Sequence, residues 1–316
     1  MKRILVTGAA GQVGSELVPE LGRIYGEDAV LATDVRLPDD ASGGYQVLDC
    51  TNPLAIAEAV RTHRADTIYH LAALLSATAE AKPQKAYDIN MGTLMNVLEV
   101  ARELKCAVFT PSSIGAFGPT TPRDPTPQDT IQRPTTMYGV TKVAGELLCD
   151  YYHTRFGVDT RGLRYPGLIS YAAPPGGGTT DYAVHIFYEA LEKQSYSCFL
   201  SADTQLDMMY MPDAVRAAVE VMEADPADLQ HRNAFNVTAM QLTPRSLAEM
   251  IKLHIPEFKI SYQVDPVRQR IADSWPQRLD DSAARAEWGW EPQYDAESMV
   301  TDMLQKLSEK AAHANR

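Results

Sequence analysis

A phenol and an ammonium group stand four residues apart in the run Tyr138-Gly139-Val140-Thr141-Lys142. On a helix this spacing puts the two side chains on one face, one turn apart. A free phenol has a pKa of about 10 and is a poor base at neutral pH, whereas a neighbouring positive charge favours the phenolate. The pair could therefore act as a general base on an alcohol, or it could be an ordinary surface pair.

Hydroxyl groups end the fifth apolar run, in Thr110-Pro111-Ser112-Ser113-Ile114-Gly115. Serines at the end of a strand usually cap a turn, and one of these could instead hold a substrate oxygen against the tyrosine. Ser113 is the better candidate of the two serines for that second role.

A glycine-rich turn follows the first apolar run, in Thr7-Gly8-Ala9-Ala10-Gly11-Gln12-Val13-Gly14. A turn without Cβ atoms lets the backbone approach a pyrophosphate, whose charge then lies on the N–H groups at the start of the next helix. The spacing is G-x-x-G-x-x-G and not the usual G-x-G-x-x-G. It predicts a dinucleotide site, with a purely structural strand-to-helix turn as the alternative.

An acidic residue, Asp34, ends the second apolar run, 26 residues after Gly8. A carboxylate there accepts hydrogen bonds from an adenosine ribose and repels a 2′-phosphate, which favours NAD over NADP. Arg36 is close enough to keep NADP open as an alternative.

Short buried strands alternate with helices in the first half of the chain, which predicts a doubly wound parallel sheet of the Rossmann type. The predicted strands are Arg3 to Thr7, Ala29 to Thr33, Tyr45 to Leu48, Thr67 to Leu71, Ala107 to Pro111 and Thr160 to Tyr165. The predicted helices between them are Gln12 to Tyr25, Pro53 to His63, Pro83 to Leu104 and Met137 to Phe156. We therefore expect an α/β chain with an NAD-binding domain over 1–170, a return segment near 207–240, and a smaller α/β substrate lobe over 171–316. In that lobe, Thr243 and Pro244 predict a helix start.

Composition excludes several other classes of function. The net charge of −12 argues against a nucleic-acid partner. No apolar run approaches the roughly 18 residues of a membrane span, and the first residues do not form a secretory signal. The four cysteines are scattered, with no C-x-x-C pair, which favours reduced thiols in the cytoplasm over disulfides or zinc. We expect no metal, because no His, Cys or carboxylate cluster has ligand spacing.

Further motifs occur in the order of a known family. His70 to Ala73 follows the fourth apolar run, Asn90 lies in the next helix, and Arg285 to Pro292 forms a tail element. With the glycine turn, the serines and the Tyr138/Lys142 pair, they resemble the extended short-chain dehydrogenase/reductases over nearly the whole chain. The resemblance implies an NAD-dependent oxidoreductase whose catalytic residues are Ser113, Tyr138 and Lys142.

The same resemblance implies which residues bind NAD. Asp49 and Cys50 would lie at the adenine, and Ala72 near the cofactor. His70 could equally be a packed core residue, and Asn90 could only support packing. The implied cofactor set is Gly8, Gly11, Gln12, Val13, Gly14, Asp34, Arg36, Asp49, Cys50, Leu71, Ala72, Ala73, Asn90, Tyr138, Lys142, Tyr165 and Leu168.

Two departures bear on the substrate. Nucleotide-sugar epimerases of this family end a strand in R-Y-F-N-P, and this chain has Arg164 to Leu168 there, with Gly167 in place of the asparagine. The loop Gly176 to Ala183 carries no cation that could bind a sugar diphosphate. Its glycines, hydroxyls and single carboxylate suit a small zwitterion, with Asp181 facing an ammonium group, although the loop could also be an ordinary hinge.

This loop and the strand before it closely resemble the short-chain L-threonine dehydrogenases, a group within that family. The implied reaction is oxidation of the β-hydroxyl of L-threonine by NAD to give 2-amino-3-oxobutanoate. Two other functions stay open, a nucleotide-sugar epimerase or dehydratase and a non-catalytic dinucleotide-sensing scaffold. Trp275 could line the pocket or belong to the core. The implied substrate residues are Ser76, Ser113, Tyr138, Gly178, Thr179, Thr180, Asp181 and Trp275.

Two long helices carry more apolar surface than one sheet face covers, and in this family such helices pair between subunits. We therefore expect a homodimer, with intrachain packing as the alternative. The apolar residues are Met91, Leu94, Val97 and Leu98 on one helix and Val143, Leu147, Leu148 and Tyr151 on the other.

Overall fold

The structure, a computed structural model, describes residues 3–37, 44–172 and 178–314. Its strands are β1 (Ile4–Thr7), β2 (Val30–Asp34), β3 (Tyr45–Val47), β4 (Thr67–His70), β5 (Ala107–Phe109), β6 (Ser112–Ser113), β7 (Thr160–Arg161), β8 (Leu163–Tyr165), β9 (Gly167–Ile169), β10 (Ser195–Cys198), β11 (Leu206–Tyr210), β12 (Phe235–Asn236), β13 (Met240–Leu242) and β14 (Lys259–Tyr262). Its α-helices are α1 (Gly14–Tyr25), α2 (Pro53–His63), α3 (Ser76–Ala81), α4 (Pro83–Leu104), α5 (Met137–Phe156), α6 (Tyr182–Lys193), α7 (Met211–Glu223), α8 (Pro244–His254), α9 (Pro266–Asp273), α10 (Ser282–Trp288) and α11 (Ala296–Ala314).

Six parallel strands form the main sheet, in the order β3-β2-β1-β4-β5-β7. The register aligns Thr7 of β1 with Thr33 of β2 and His70 of β4. The carboxyl ends of these strands therefore meet at one edge of the sheet, where ligands bind in open α/β folds. The predicted Rossmann-type fold is confirmed.

Helices cover both faces of this sheet. On one face α1 packs with α7, and Leu17, Leu21 and Ala218 belong to the same buried cluster. On the other face α2, α4 and α5 pack in sequence, and Val97 and Leu98 are fully buried. The division of the chain at residue 170 stays a prediction.

A third apolar cluster lies in the second half of the chain. It joins α6, α8 and α11, which pack on one another, to the antiparallel pair β11 and β13. The parallel pairing of β9 with β11 extends that sheet, and β10 pairs with β14. Ile114, directly after β6, and Ile169 of β9 both belong to this cluster, so it lies beside the ends of those two strands.

The prediction of one strand from Thr160 to Tyr165 is wrong, because the chain changes partners at Gly162. β7 pairs with β5 of the main sheet, whereas β8 pairs with β6 and β12. A Cβ atom on Gly162 would lie 2.6 Å from the carbonyl oxygen of Thr110. The glycine thus permits the close crossing at which the strand divides.

The predicted helices agree with the structure, apart from the start of α1, because their ends carry local signals. Asn52 caps α2 by accepting from Leu54 N, and Pro53 occupies its first position. Thr243 accepts from Ser246 N at the start of α8. The helix α3 was not predicted, since six residues are too short to show a helical period.

The apolar residues assigned to a subunit interface divide into three groups, of which one, Met91, Val143 and Leu148, is partly buried. Leu94, Val97 and Leu98 are buried within the chain, so their assignment to an interface is wrong. They pack in the core between the sheet and α2. Leu147 and Tyr151 on α5 are exposed at 62% and 54%.

Residues 3–37, 44–172 and 178–314 contain no helix with the length and apolarity needed to cross a membrane. The same residues contain no group of three His, Cys, Asp or Glu side chains that could hold a metal ion. The cysteines are free and buried.

Candidate active site

A cleft of about 230 Å³ opens at the carboxyl edge of the main sheet. Its walls combine the glycine turn, the start of helix α5 and the segment 178–181. The structure thus brings together residues that lie far apart in sequence. Those predicted as site residues and lining the cleft are Gly8, Gly11, Gln12, Val13, Gly14, Leu71, Ala73, Ser76, Ser113, Tyr138, Lys142, Tyr165, Leu168, Gly178, Thr179, Thr180, Asp181 and Trp275.

The glycine turn is shaped for a close ligand. Gly8 has a φ of +71°, and a Cβ atom there would lie 2.7 Å from Ala72 N. A Cβ atom on Gly14 would lie 2.5 Å from the Gly8 carbonyl oxygen. No side chain in the described part of the chain caps the start of α1, and Gln12 Nε2 is buried there without a hydrogen-bond partner. An open helix start and an unsatisfied donor fit the pyrophosphate of a dinucleotide.

Asp34 is fixed beside this turn. Its Oδ2 accepts from Ala10 N at 3.0 Å, and its Oδ1 accepts from Val35 N at 2.7 Å. The carboxylate therefore has a set position next to the backbone that would hold the pyrophosphate. That position suits an adenosine ribose, whose hydroxyls donate to such an acid.

Tyr138 and Lys142 lie on the cleft side of α5. The Lys142 ammonium lies 5.3 Å from the centre of the Tyr138 ring. Its Nζ donates to the Pro111 carbonyl oxygen at 2.6 Å. The ammonium is therefore held at the strand end, close enough to the phenol to stabilise a negative charge there.

Ser113 stands beside the tyrosine because Gly115 leaves space between them. A Cβ atom built on Gly115 would lie 3.2 Å from Tyr138 Cε1 and 3.5 Å from Ser113 Oγ. The serine hydroxyl accepts from Gly115 N at 3.1 Å. Its turn-capping role and its place in the cleft are therefore compatible, since its proton stays available to a ligand.

The start of α5 is fixed from three directions. Thr136 Oγ1 accepts from Gly139 N at 3.1 Å, and Glu80 of α3 accepts from Met137 N at 2.6 Å. A Cβ atom on Gly139 would clash with the backbone and side chains packed against it. These contacts determine where the tyrosine at the second position of the helix can lie.

A buried ion pair lies behind the predicted catalytic residues. Glu146 and Arg164 are joined at 2.9 Å, and their side chains are only 7% and 9% exposed. Glu146 also accepts from the Ser112 hydroxyl and from Gln132 Nε2. The pair thus ties α5, β8 and the serine strand β6 together.

The segment 178–181 forms a short 3₁₀ turn at the mouth of the cleft. Asp181 is 7% exposed, and its Oδ2 accepts from Gly178 N at 2.8 Å. Thr179 is buried, while Thr180 is partly exposed. Trp275 lines the cleft and also belongs to the core, so the two alternatives for it are compatible. Gly176 and Gly177 of the predicted loop lie outside the described residues.

Six predicted cofactor residues do not line the cleft. Asp34 lies beside the glycine turn and Ala72 and Asn90 line a neighbouring cavity, whereas the other three, Arg36, Asp49 and Cys50, line neither. Arg36 and Asp49 are exposed, and hydrogen bonds from Thr51 lower the pKa of Asp49. Cys50 is buried, which raises the pKa of its thiol to about 11. The contact of Asp49 and Cys50 with an adenine, and that of Arg36 with the cofactor, stay predictions.

Asn90 and His70 both make hydrogen bonds within the protein. Asn90 accepts from Leu74 N at 2.7 Å and donates to the Leu74 carbonyl oxygen and to Thr141. His70 is held between the hydroxyls of Thr7 and Thr93, and burial lowers its pKa to about 3. With Ala72 and Ala73, they line a smaller cavity behind Lys142.

Six cleft residues were not among the predicted site residues. Each lies within two residues of a predicted residue, so the motifs themselves were the available signal. Their position in the cleft wall depends on tertiary contacts that the sequence does not show. They are Leu75, Pro111, Ser112, Ile114, Pro166 and Gly167.

The cleft carries little charge. Among its described lining residues, Lys142 is the only basic side chain and Asp181 the only carboxylic acid. A diphosphate on the substrate would therefore meet no arginine, and the single lysine is held at Pro111. The site suits a small substrate that carries one or two charges of its own.

Comparison with known proteins gives the family. Residues 4–238 match the NAD dependent epimerase/dehydratase family. An uncharacterized epimerase/dehydratase of Staphylococcus saprophyticus is 56% identical over 314 residues, which cover 98% of each chain. An L-threonine dehydrogenase from Clostridium difficile has a TM-score of 0.97 and 56% identity, with 98% of each chain covered.

A third relative bears on the oligomeric state. A monomeric L-threonine 3-dehydrogenase from a metagenome has a TM-score of 0.94 and 42% identity, over 97% of this chain and 99% of its own. The comparisons thus do not support the predicted homodimer. They do confirm the predicted family and cofactor: the protein binds NAD and is an NAD-dependent oxidoreductase. The chain belongs to the NAD dependent epimerase/dehydratase family, in its extended short-chain dehydrogenase/reductase form.

Proposed function

We propose that the protein oxidises the β-hydroxyl of L-threonine with NAD, giving 2-amino-3-oxobutanoate. The observation that carries this proposal is the combination of Tyr138, Lys142 and Ser113 with a cleft wall whose described residues include one carboxylate and no arginine. Such a wall disfavours a nucleotide sugar and accommodates a small amino acid. The retained tyrosine and lysine favour an enzyme over a dinucleotide-sensing scaffold.

The residues that would hold NAD come from three elements. The backbone from Gly8 to Gly14 would hold the pyrophosphate, and Asp34 would accept from the adenosine ribose. Gln12 Nε2, buried and unpartnered among the described residues, would donate to the bound cofactor. Lys142 would bind the nicotinamide ribose. When bound, NAD supplies a hydride acceptor for the β-carbon of the substrate.

Tyr138 removes the hydroxyl proton of the substrate. The Lys142 ammonium beside its ring stabilises the phenolate by electrostatic attraction. Ser113 donates a hydrogen bond to the reacting oxygen and so orients it toward the phenol. As the β-carbon is oxidised, the O–H proton passes to Tyr138 and a carbonyl forms.

Segment 178–181 and Ser76 bind the rest of the substrate. The hydroxyls of Thr179 and Thr180 would donate to its carboxylate. Asp181 supplies the negative charge that attracts its ammonium group while also holding Gly178 N. A hydroxy acid without an amino group loses that attraction, so L-threonine is preferred over 3-hydroxybutyrate.

Replacing Tyr138 by Phe tests the mechanism. The ring stays and the base is lost, so turnover of L-threonine falls by roughly 100-fold or more. The affinity for NAD changes little and serves as the control for folding. Near-normal turnover in Tyr138→Phe would remove the proposed general base.

The homodimer is a separate proposal. Five apolar side chains at least 40% exposed on α4 and α5 supply a surface that a second copy could cover: Tyr87, Met95, Val140, Leu147 and Tyr151. Light scattering should then give twice the chain mass of 34.8 kDa. A mass equal to that of one chain would refute it.

A further inference from the structure

Gly167 lies where β9 passes under segment 178–181. It is buried, lines the cleft and pairs in register with Met208 of β11. The space that a side chain at 167 would occupy is filled from two sides. A Cβ atom there would lie 2.7 Å from Thr180 Cγ2 and 2.9 Å from Met208 Cε, with Met208 Sδ closer still.

A Cβ atom at residue 167 would therefore lie closer to its neighbours than packed side chains tolerate. Met208 is fully buried, so its thioether cannot swing into solvent. Thr180 is β-branched and short, so its methyl can yield only by rotation about χ1, which also redirects the hydroxyl, or by movement of its segment. Protein interiors are close-packed, and one added methyl group therefore has to displace a neighbour.

The methyl contact also fixes the orientation of the Thr180 hydroxyl. The methyl and hydroxyl groups share one Cβ atom, and their directions are set by a single staggered torsion angle. With the methyl seated over Gly167, the hydroxyl has one direction left relative to the backbone. Gly178 is held in the same turn by its hydrogen bond to Asp181, so the position of the whole segment depends on this methyl contact.

We propose that Gly167 and Met208 form a seat that positions Thr180 and its segment against the amino acid substrate. The inference rests on the proposed function and adds two positioning residues to it. Neither residue takes part in proton transfer, because Tyr138, Lys142 and Ser113 belong to other elements. The seat therefore affects the binding of the substrate and not the rate of proton or hydride transfer.

The variant Gly167→Ala tests the seat by adding the missing methyl. We expect the KM for L-threonine to rise at least 10-fold, while kcat changes less than 3-fold and the dissociation constant of NADH stays the same. Calorimetric titration of L-threonine into the NADH-loaded protein should show the same weakening without turnover. Equal losses in kcat and NADH affinity would mean general misfolding and would overturn the proposal.

A second variant keeps the test decisive if Gly167→Ala is unstable. Met208→Val puts an apolar residue of high strand propensity in β11 and removes both thioether atoms nearest the added methyl. In the double variant we expect at least a 3-fold recovery of the KM, which makes the two changes non-additive. Additive losses would show that the two residues do not share one seat.

Gly22→Ala is the matched control. It adds the same methyl within α1, where the nearest atom outside the helix is 3.7 Å away. It should leave KM and kcat within 2-fold of the wild type. If the wild type fails to oxidise L-threonine at all, the proposed function is wrong; if it is active and Gly167→Ala has a normal KM, the seat is wrong.

Discussion

Removing the arginine of the buried ion pair should destabilise the protein far more than breaking a surface pair. Arg164→Met deletes the guanidinium that meets Glu146, Asn236 Oδ1 and the Gln128 carbonyl oxygen. Glu146 is then left buried, with Ser112 and Gln132 as its remaining side-chain donors among the described residues. The cause of the loss is an unpaired charge that water cannot reach.

The magnitude follows from burial. Removing one partner of a buried pair costs about 3–5 kcal/mol. For a chain of this length each kcal/mol lowers Tm by about 2 °C, so Tm should fall by about 6–10 °C. Replacing both charges, in Arg164→Met with Glu146→Leu, should recover part of that loss, because no charge then remains buried.

Scanning calorimetry at one fixed rate measures this effect, and Arg61→Met is the control. Arg61 meets Glu103 at 2.9 Å, the same distance as in the buried pair, but both side chains are more than half exposed. Arg61→Met should therefore change Tm by about 2 °C or less. A similar Tm for both single variants would refute the reasoning that burial makes this pair important.

Three further predictions concern charge. Burial raises the pKa of Glu16 to about 7, against the opposing hydrogen bond from Ser170, so the ionised form is disfavoured in the folded protein. Stability should therefore fall as pH rises from about 4.5 to about 7, and Glu16→Gln should flatten that part of the Tm profile. Burial lowers the pKa of His231, but hydrogen bonds with Glu287 and Asp129 outweigh it and raise the pKa. His231→Gln should therefore lower Tm at pH 6, and the difference in Tm from the wild type should shrink as the pH rises above the raised pKa. A difference in Tm that stays constant with pH would contradict this assignment. Asp34→Asn should reduce the preference for NAD over NADP at least 10-fold in kcat/KM, since the charge that repels a 2′-phosphate is gone; an unchanged ratio would assign that preference elsewhere.

Local signals explain what could be predicted from the sequence. Prolines at positions 53, 83 and 244 mark helix starts, since the missing N–H is not needed there. The glycine turn and the Tyr138/Lys142 pair lie within single motifs, so their chemistry is readable from spacing. Their convergence in one cleft follows from the rule that parallel strands end at one edge.

Tertiary contacts explain what could not be predicted. The break at Gly162 depends on which strand lies beside the chain, and the main-chain carbonyl of Pro111 that holds Lys142 carries no side-chain signal. The sequence shows that Gly167 replaces the asparagine of the sugar epimerases. Its packing against Thr180 is not visible there, because Thr180 lies more than ten residues away along the chain. Spacing along the chain does not encode such pairings.

The most direct test of the central claim is a substrate panel. The protein would be incubated with NAD and, separately, with L-threonine, L-serine, 3-hydroxybutyrate and UDP-galactose, following NADH absorbance and epimer formation. The account predicts NADH with L-threonine, at a kcat/KM at least 10-fold above that for any other compound. Epimerisation of UDP-galactose, or no NADH from L-threonine, would contradict it.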